Sequence, residues 1–213
     1  MRRDAALGYG LPVQPVLSSF LRVVLTAWVA LLLGGLTPVA QGVLPDEVAS
    51  LANSVAGWTV PTAALVWWLA RSRVEAALGG AVAFVALTLG YSVVSDWRGE
   101  QFDPTFWATI GIVAGPVIGL AAHALRRPAR EAAVGAGVLS GVLVGEAVYG
   151  LTVIADTTSP VFWWICAAAG VILLGAMCAR LARPGAIVLA CGTSAAVAGA
   201  FVVAYRLLGG VGA

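Results

Sequence analysis

The sequence predicts an all-α integral membrane protein, a polytopic helical bundle of about seven transmembrane helices. Of its 213 residues, 61% are hydrophobic and only 10% are charged, whereas a soluble domain carries about 25% charged residues. A chain this apolar is not disordered. A net charge of +2 is too small for an electrostatic nucleic-acid binder, so nucleic acid is not an expected partner.

Apolar runs separated by charges and turn residues define seven predicted helices, each with the roughly 20 apolar residues that a span needs. In chain order they cover Phe20–Ala40, Leu51–Ala70, Ala76–Ser95, Pro104–Leu125, Ala132–Ala155, Val161–Ala179 and Ala186–Leu207. The predicted organisation is an N-terminal cytoplasmic segment of residues 1–19, one transmembrane domain of residues 20–208 and a short C-terminal tail of residues 209–213.

The arginines predict how the bundle is oriented. All twelve basic residues are arginine, and ten of them fall in the N-terminal segment, at the start of the first predicted helix or in alternate loops on the same side. Loops with an excess of basic residues stay in the cytoplasm. The N-terminus is therefore predicted inside and the C-terminus outside a multi-pass protein of the cell membrane, with the lipid bilayer as its surroundings. This alternation requires an odd number of spans.

Most tryptophans lie near the ends of the predicted helices, at the depth where indoles anchor in the headgroup layer. These are Trp67, Trp68, Trp97, Trp107, Trp163 and Trp164. Trp28 and Trp58 fall deeper, so anchoring does not account for them.

Glu146 is the acidic residue that the pattern places well inside the membrane. Counted along Ala132–Ala155, it lies about 21 Å from the inner end and about 14 Å from the outer end. A carboxyl group there costs about 2–3 kcal/mol and normally faces a cavity or the bundle interior, where low polarity favours its protonated form. Tyr149 shares its helix face. Glu146 is either a structural carboxyl bonded to a neighbouring helix or a group that carries chemistry.

Two further predicted helices carry polar and aromatic residues at helical spacing. They are Ser54, Trp58, Pro61 and Thr62 on the second helix, and Phe84, Thr88, Tyr91 and Ser95 on the third. Ser and Thr in membrane helices often bond only to their own backbone or to a neighbour. Together with Glu146, the two stripes predict one outward-leaning aromatic pocket, with Asp96, Glu100 and Asp103 near its rim.

Glycines recur every fourth residue on two predicted helices, which favours close packing between helices. They are Gly111, Gly115 and Gly119 on the fourth helix, and Gly137, Gly141 and Gly145 on the fifth. The three cysteines lack the spacing of metal or redox motifs, and no phosphate-binding glycine pattern or zinc spacing occurs. No metal and no cofactor are therefore expected.

By size, seven-helix layout, arginine-only inner loops and the segments Gly115–Gly119 and Gly145-Glu146, the chain resembles small actinobacterial membrane proteins. It also resembles the bacterial membrane-bound terpene cyclases of drimentine-type pathways. The likeness covers most of the chain as architecture. It implies a membrane-embedded carboxylic acid that protonates the terminal alkene or epoxide of a prenyl chain. The fungal meroterpenoid cyclases carry one acid late in the chain, and the last predicted helix here has none.

This resemblance implies a terpene cyclase of isoprenoid secondary metabolism that acts on a prenylated small molecule. Glu146 is then the expected proton donor, because a neutral carboxylic acid in a dry pocket can protonate an alkene, and Asp96 or Asp156 would hold its proton or accept the last one. The expected substrate contacts, some of them cation–π contacts, are Trp58, Phe84, Tyr91, Asp103 and Tyr149.

Two other classes stay open. Small, glycine-rich helical proteins are similar to the substrate-binding subunits of energy-coupling-factor vitamin transporters, which have six spans and need a coupling subunit and ATPases. Trp58, Tyr91 and Glu146 would then bind a vitamin-like solute from outside. The third class is an immunity or assembly membrane protein that carries no chemistry.

Overall fold

The computed structural model describes residues 13–211, and over that range the chain is helical throughout its regular elements. The seven α-helices are α1 Val13–Gln41, α2 Val55–Leu69, α3 Arg73–Trp97, α4 Thr105–Ala124, α5 Ala129–Thr152, α6 Pro160–Leu181 and α7 Pro184–Val211. The rest of the predicted N-terminal segment and tail, residues 1–12 and 212–213, lies outside the described residues.

The predicted fold class is confirmed. Six of the described helices are long and apolar enough to cross a membrane, while α2 is apolar but has only 15 residues. α1 begins seven residues before the predicted Phe20. The protein is therefore a multi-pass membrane protein, and the inside–outside orientation stays a prediction of the arginine pattern.

α2 is shorter than the predicted second span, Leu51–Ala70, because the chain breaks at Ser54. A 3-10 helix, Ala49–Asn53, precedes the break. The backbone of Ser54 is extended, and its Oγ accepts a hydrogen bond from the Gly57 N–H at 2.8 Å, which makes it the N-cap of α2. Fifteen helical residues cover about 22 Å, less than the roughly 30 Å hydrocarbon core. If its last residue lies at the surface that the arginines predict to be the inner one, α2 begins inside the membrane.

α3 and α5 form the centre of the bundle. α3 packs against α1 and α4, α5 packs against α6 and α7, and α4 joins the two groups by contacting α5. In the apolar 18-residue window of α5, 72% of the residues are buried, whereas in that of α7 only 17% are. Trp28, which anchoring did not explain, is 61% exposed on α1 and faces lipid.

Glycines bring the central helices into backbone contact, as their spacing predicted. A Cβ on Gly80 of α3 would lie 2.0 Å from the carbonyl oxygen of Gly115 on α4, and one on Gly119 would lie 2.0 Å from that of Ala76. The repeated glycines of α5 face α7 in the same way; they are Gly137, Gly141 and Gly145. Small residues thus replace large interdigitating side chains at these contacts.

A bidentate ion pair joins α1 to α3 near their arginine-bearing ends. Arg22 donates from Nη2 to Oε1 of Glu75 at 2.8 Å and from Nε to Oε2 at 3.0 Å. Glu75 also accepts from Ser19 Oγ at 2.7 Å and from the Arg71 N–H at 2.9 Å. The Glu75 side chain is only 10% exposed. Its hydrogen bonds connect α1, α3 and the segment that follows α2.

The coupling between Arg22 and Glu75 is expected to be about 1–3 kcal/mol, since the bonds are bidentate, charge-assisted and partly buried. A double-mutant cycle with Arg22→Gln and Glu75→Gln, followed by unfolding in detergent, measures it. The control is the exposed pair Arg73–Glu131, whose side chains are 63% and 37% exposed. That pair should couple by less than about 1 kcal/mol. Equal coupling in the two cycles would show that the buried pair has no special role.

Candidate functional site

A cavity of about 370 Å³ lies between α2 and the five helices that follow it in the chain. Its volume is within the roughly 300–1,000 Å³ of small-molecule sites. Nine of its lining side chains are aromatic: Trp58, Phe84, Tyr91, Phe102, Trp107, Tyr149, Trp163, Phe201 and Tyr205. Among the lining residues, Glu146 supplies the only carboxyl group, and it is 4% exposed.

Glu146 caps the first turn of α2. Its Oε1 accepts a hydrogen bond from the Val55 N–H at 2.6 Å, and its Oε2 accepts one from the Ala56 N–H at 2.5 Å. The first N–H groups of a helix have no partner within the helix, and that end of the helix carries partial positive charge. The carboxyl therefore satisfies two backbone donors that would otherwise be unpaired inside the membrane.

The observed bounds of α5 place Glu146 about 9 Å from the outer end of the helix, against the roughly 14 Å predicted, because α5 ends at Thr152 and not at Ala155. The difference amounts to one helical turn. The Glu146 side chain therefore lies closer to that end of the bundle than the sequence pattern indicated.

Ser54 completes the cap, and replacing it should have a measurable cost. Its Oγ accepts a hydrogen bond from the Gly57 N–H at 2.8 Å. The N–H groups of Val55, Ala56 and Gly57 therefore all have side-chain acceptors. Ser54→Ala is expected to lower the free energy of unfolding by about 1 kcal/mol. Ser159 is the matched control, because its Oγ lies 3.4 Å from the Val161 N–H on α6. A loss no larger than that of Ser159→Ala would contradict the proposed cap.

Two groups of rings supply six of the nine aromatic side chains in the wall. In the α2–α3 cluster (Trp58, Tyr91 and Phe102), the Tyr91 ring lies 6.0 Å from Trp58 and 4.6 Å from Phe102, centroid to centroid. In the α5–α7 cluster (Tyr149, Phe201 and Tyr205), the rings of Phe201 and Tyr205 stack at 4.4 Å and Tyr149 lies 5.4 Å from Tyr205. Both clusters line the same space as Glu146.

Trp163 closes the wall from α6. Its ring packs so closely on α5 that a Cβ on Gly150 would lie 2.1 Å from it, and its Nε1 donates to Thr158 Oγ1 at 2.9 Å. It is 4% exposed, whereas the adjacent Trp164 is 64% exposed. Neighbouring residues on a helix point about 100° apart, and on α6 this places Trp163 in the bundle and Trp164 at its surface.

Five of the predicted site residues line the cavity: Glu146, Trp58, Phe84, Tyr91 and Tyr149. The three aspartates do not. Asp96 and Asp103 line a separate surface depression around the α3–α4 connection, and Asp156 is exposed in the α5–α6 connection. Asp96 turns away because the preceding residue, Ser95, occupies the buried face of α3 at 1% exposure.

Asp103 has a local structural role instead. Its Oδ1 accepts a hydrogen bond from the Thr105 N–H at 2.9 Å, at the start of α4. The hydrogen bonds from the side chain and backbone of Thr105 lower the pKa of Asp103 below its ordinary value. This carboxylate stabilises the first turn of α4 and lies outside the cavity lining.

The sequence did not identify several parts of the wall. These are Phe102, Trp107, Trp163, Phe201 and Tyr205, together with the backbone N–H groups of Val55 and Ala56. Trp107 and Trp163 were interpreted as interfacial anchors. The pair Trp163-Trp164 gave no usable signal, because adjacent residues of a helix can both be exposed, as Trp67 and Trp68 are at 44% and 66%.

These features define a multi-pass helical membrane protein with an aromatic-lined internal cavity and one carboxyl group in its wall. The chain belongs to a family of unknown function, DUF6518, which matches residues 14–210 and therefore covers nearly all of α1 to α7. Comparisons with curated proteins and with solved structures found no match.

Proposed function

We propose that the protein is a terpene cyclase of the cell membrane that protonates a farnesyl-like prenyl chain and cyclises it through a carbocation. The observation that carries this proposal is the position of Glu146, a lone carboxyl in a cavity wall whose lining residues are half aromatic. An apolar chain can enter such a cavity directly from the bilayer. The substrate class is a prenylated small molecule.

The aromatic wall suits a carbocation. Ring faces attract positive charge without forming bonds to it, and the attraction reaches about 2 kcal/mol or more when water is absent. Water or a free hydroxyl close to the cation would instead capture it. Tyr91 donates its hydroxyl proton to Gln41 Oε1 at 3.2 Å, which leaves the ring face of this side chain for the substrate.

The two N–H groups on Glu146 favour the proton transfer. When the neutral acid gives up its proton, negative charge develops on the carboxyl oxygens, which already lie within 2.6 Å of Val55 N and Ala56 N. Donors held in place where charge develops stabilise the transition state, because they need no rearrangement. The start of α2 would thus stabilise the carboxylate while the rings stabilise the cation.

The reaction is an isomerisation. The acid proton of Glu146 adds to the terminal alkene carbon and leaves a tertiary cation. Internal double bonds then attack in turn, and each attack forms one carbon–carbon bond and moves the cation. The final cation loses a proton to the Glu146 carboxylate, which restores the acid, and this carboxyl exchanges its proton with solvent between turnovers. No oxidant, metal or cofactor enters this balance.

Glu146→Gln is expected to lower the rate of product formation by at least about 100-fold, because it removes the general acid. The assay incubates membranes that contain the protein with a panel of farnesylated acceptors and follows cyclised isomers by mass spectrometry. Glu47→Gln is the control, since it removes an exposed carboxyl in the α1–α2 connection. Full activity of folded Glu146→Gln would overturn the proposal.

Tyr149 gives a second test that leaves the carboxyl untouched. Tyr149→Phe keeps the ring and should retain activity, whereas Tyr149→Leu removes the ring and should lower the rate about tenfold or change the product pattern. The comparison matters because the glutamine variant also loses part of the α2 cap. Equal activity of both Tyr149 variants would contradict a role for the ring in stabilising a cation.

The substrate-binding subunit of a vitamin-type transporter is the second candidate, and one observation favours it. Both oxygens of Glu146 already have backbone partners, which suits a structural carboxyl beside a pocket that only holds a ligand. On that reading, a small molecule copurifies with the wild type after mild solubilisation and is released unchanged on denaturation. Mass spectrometry of the released fraction distinguishes it from a cyclised hydrocarbon.

A further inference from the structure

A second concave surface lies at the opposite end of the α4–α5 contact from Glu146. It is a groove of about 580 Å³ near the end of α4 and the start of α5. Its walls are apolar and include Val117, Leu120 and Val134, which are 53%, 39% and 40% exposed. Exposed branched side chains of this kind on a membrane helix contact lipid chains.

The rim of this groove is basic. Arg73 and Arg130 line it together with Glu131. Arg73 Nη2 lies 2.9 Å from Glu131 Oε1, and Arg127 Nε lies 3.7 Å from Oε2 of the same carboxylate. Two arginines thus pair with one glutamate, and Arg130 adds a third positive charge, which leaves a net positive charge at the rim. Within residues 13–211, Arg130 forms no ion pair with a carboxylate.

We propose that this groove binds an anionic phospholipid, with an acyl chain on the apolar walls and the phosphate on Arg73 and Arg130. The acyl chain and the phosphate of such a lipid would both be bound in one continuous site. This site lies at the end of the bundle that the arginine pattern predicts to be cytoplasmic. Basic pockets between membrane helices on that side are suited to anionic headgroups, and guanidinium groups bind phosphate oxygens through paired, charge-assisted hydrogen bonds. This site is independent of the cavity at Glu146.

The test is the retention of phosphatidylglycerol by the purified protein, measured by native mass spectrometry during a titration in detergent. Phosphatidylcholine is the neutral comparison. Arg130→Gln and Arg73→Gln are each expected to weaken retention of phosphatidylglycerol about fivefold. Arg183→Gln is the matched control, because it removes an exposed arginine between α6 and α7, on the same side of the bundle.

The apolar part of the site has its own variant. Val134→Trp fills the groove and leaves every charge in place, so it should reduce retention of phosphatidylglycerol as strongly as the arginine variants. The proposal would be overturned if Arg183→Gln lowered retention of phosphatidylglycerol equally, or if Val134→Trp left it unchanged. Either result would mean that only the general positive charge of this surface attracts the lipid. Complete displacement of the lipid by inorganic phosphate would also overturn the proposal, because it would indicate a phosphate site without lipid recognition.

Discussion

Replacing Glu146 by alanine is expected to lower the free energy of unfolding by about 2–5 kcal/mol. The change leaves the N–H groups of Val55 and Ala56 without acceptors inside the bundle, and each orphaned donor costs about 1–3 kcal/mol. It also removes two hydrogen-bond acceptors from the positive end of the α2 dipole. Unfolding of the purified protein in detergent, followed by circular dichroism, measures the loss.

Glu47→Ala is the control for this measurement, since Glu47 is exposed and its loss should change stability by no more than about 0.5 kcal/mol. Glu146→Gln should fall between the wild type and Glu146→Ala, because an amide oxygen can accept one of the two N–H groups. If Glu146→Ala is as stable as the wild type, the carboxyl does not hold the start of α2 in place.

Gly80→Ala is expected to cost about 3 kcal/mol, or to prevent stable insertion of the bundle. The new Cβ would lie 2.0 Å from the carbonyl oxygen of Gly115, so α3 and α4 must move apart. Adding one methyl group to a well-packed interior typically costs about 1–3 kcal/mol, and here the opposing atom belongs to rigid backbone. The yield of folded protein from membranes and its unfolding temperature both measure the effect.

The matched control is Gly192→Ala on α7, where a Cβ would meet nothing within 4 Å. Helix propensity alone favours alanine over glycine by up to about 1 kcal/mol, so this variant should be as stable as the wild type or more so. A similar loss in both variants would mean that glycine at Gly80 is not needed for the close approach of α3 and α4.

The spans were predictable because the bilayer imposes a simple rule on sequence. A helix that crosses it needs a long apolar run, and the connections collect the charges. For α3 the predicted Ala76–Ser95 lies within the observed Arg73–Trp97. The close packing of the glycine faces was predictable for the same reason, since small residues at every fourth position leave one side of a helix free for a neighbour.

The break before α2 was harder to predict. Residues 51–70 are mostly apolar and carry no charge, and hydropathy does not register a change of backbone direction within them. The local signal was Ser54, an N-cap residue type. Its meaning depends on a distant partner, because the exposed N–H groups at a helix start inside a membrane need acceptors, and Glu146 follows more than ninety residues later.

The members of the cavity wall were predictable only in part. Glu146, Tyr149 and the two helical stripes are polar or aromatic where the membrane disfavours polarity, so the sequence marks them. Phe201 and Tyr205 lie on α7 among residues of the same general character, and helical period alone does not fix which face of α7 meets α5. Asp96, Asp103 and Asp156 lie at the end of the bundle that the arginine pattern predicts to be the outer one. Their charge did not indicate how far they lie from the cavity.

The central claim is that Glu146 transfers a solvent-exchangeable proton to carbon, and cyclisation in heavy water tests it most directly. Membranes with the wild type or Glu146→Gln are incubated with a farnesylated acceptor in heavy water, and the products are analysed by mass spectrometry. The account predicts a cyclised isomer that carries one deuterium from solvent with the wild type and none of this product with the variant. A cyclised product without deuterium, or no product from any acceptor in the panel, would contradict it.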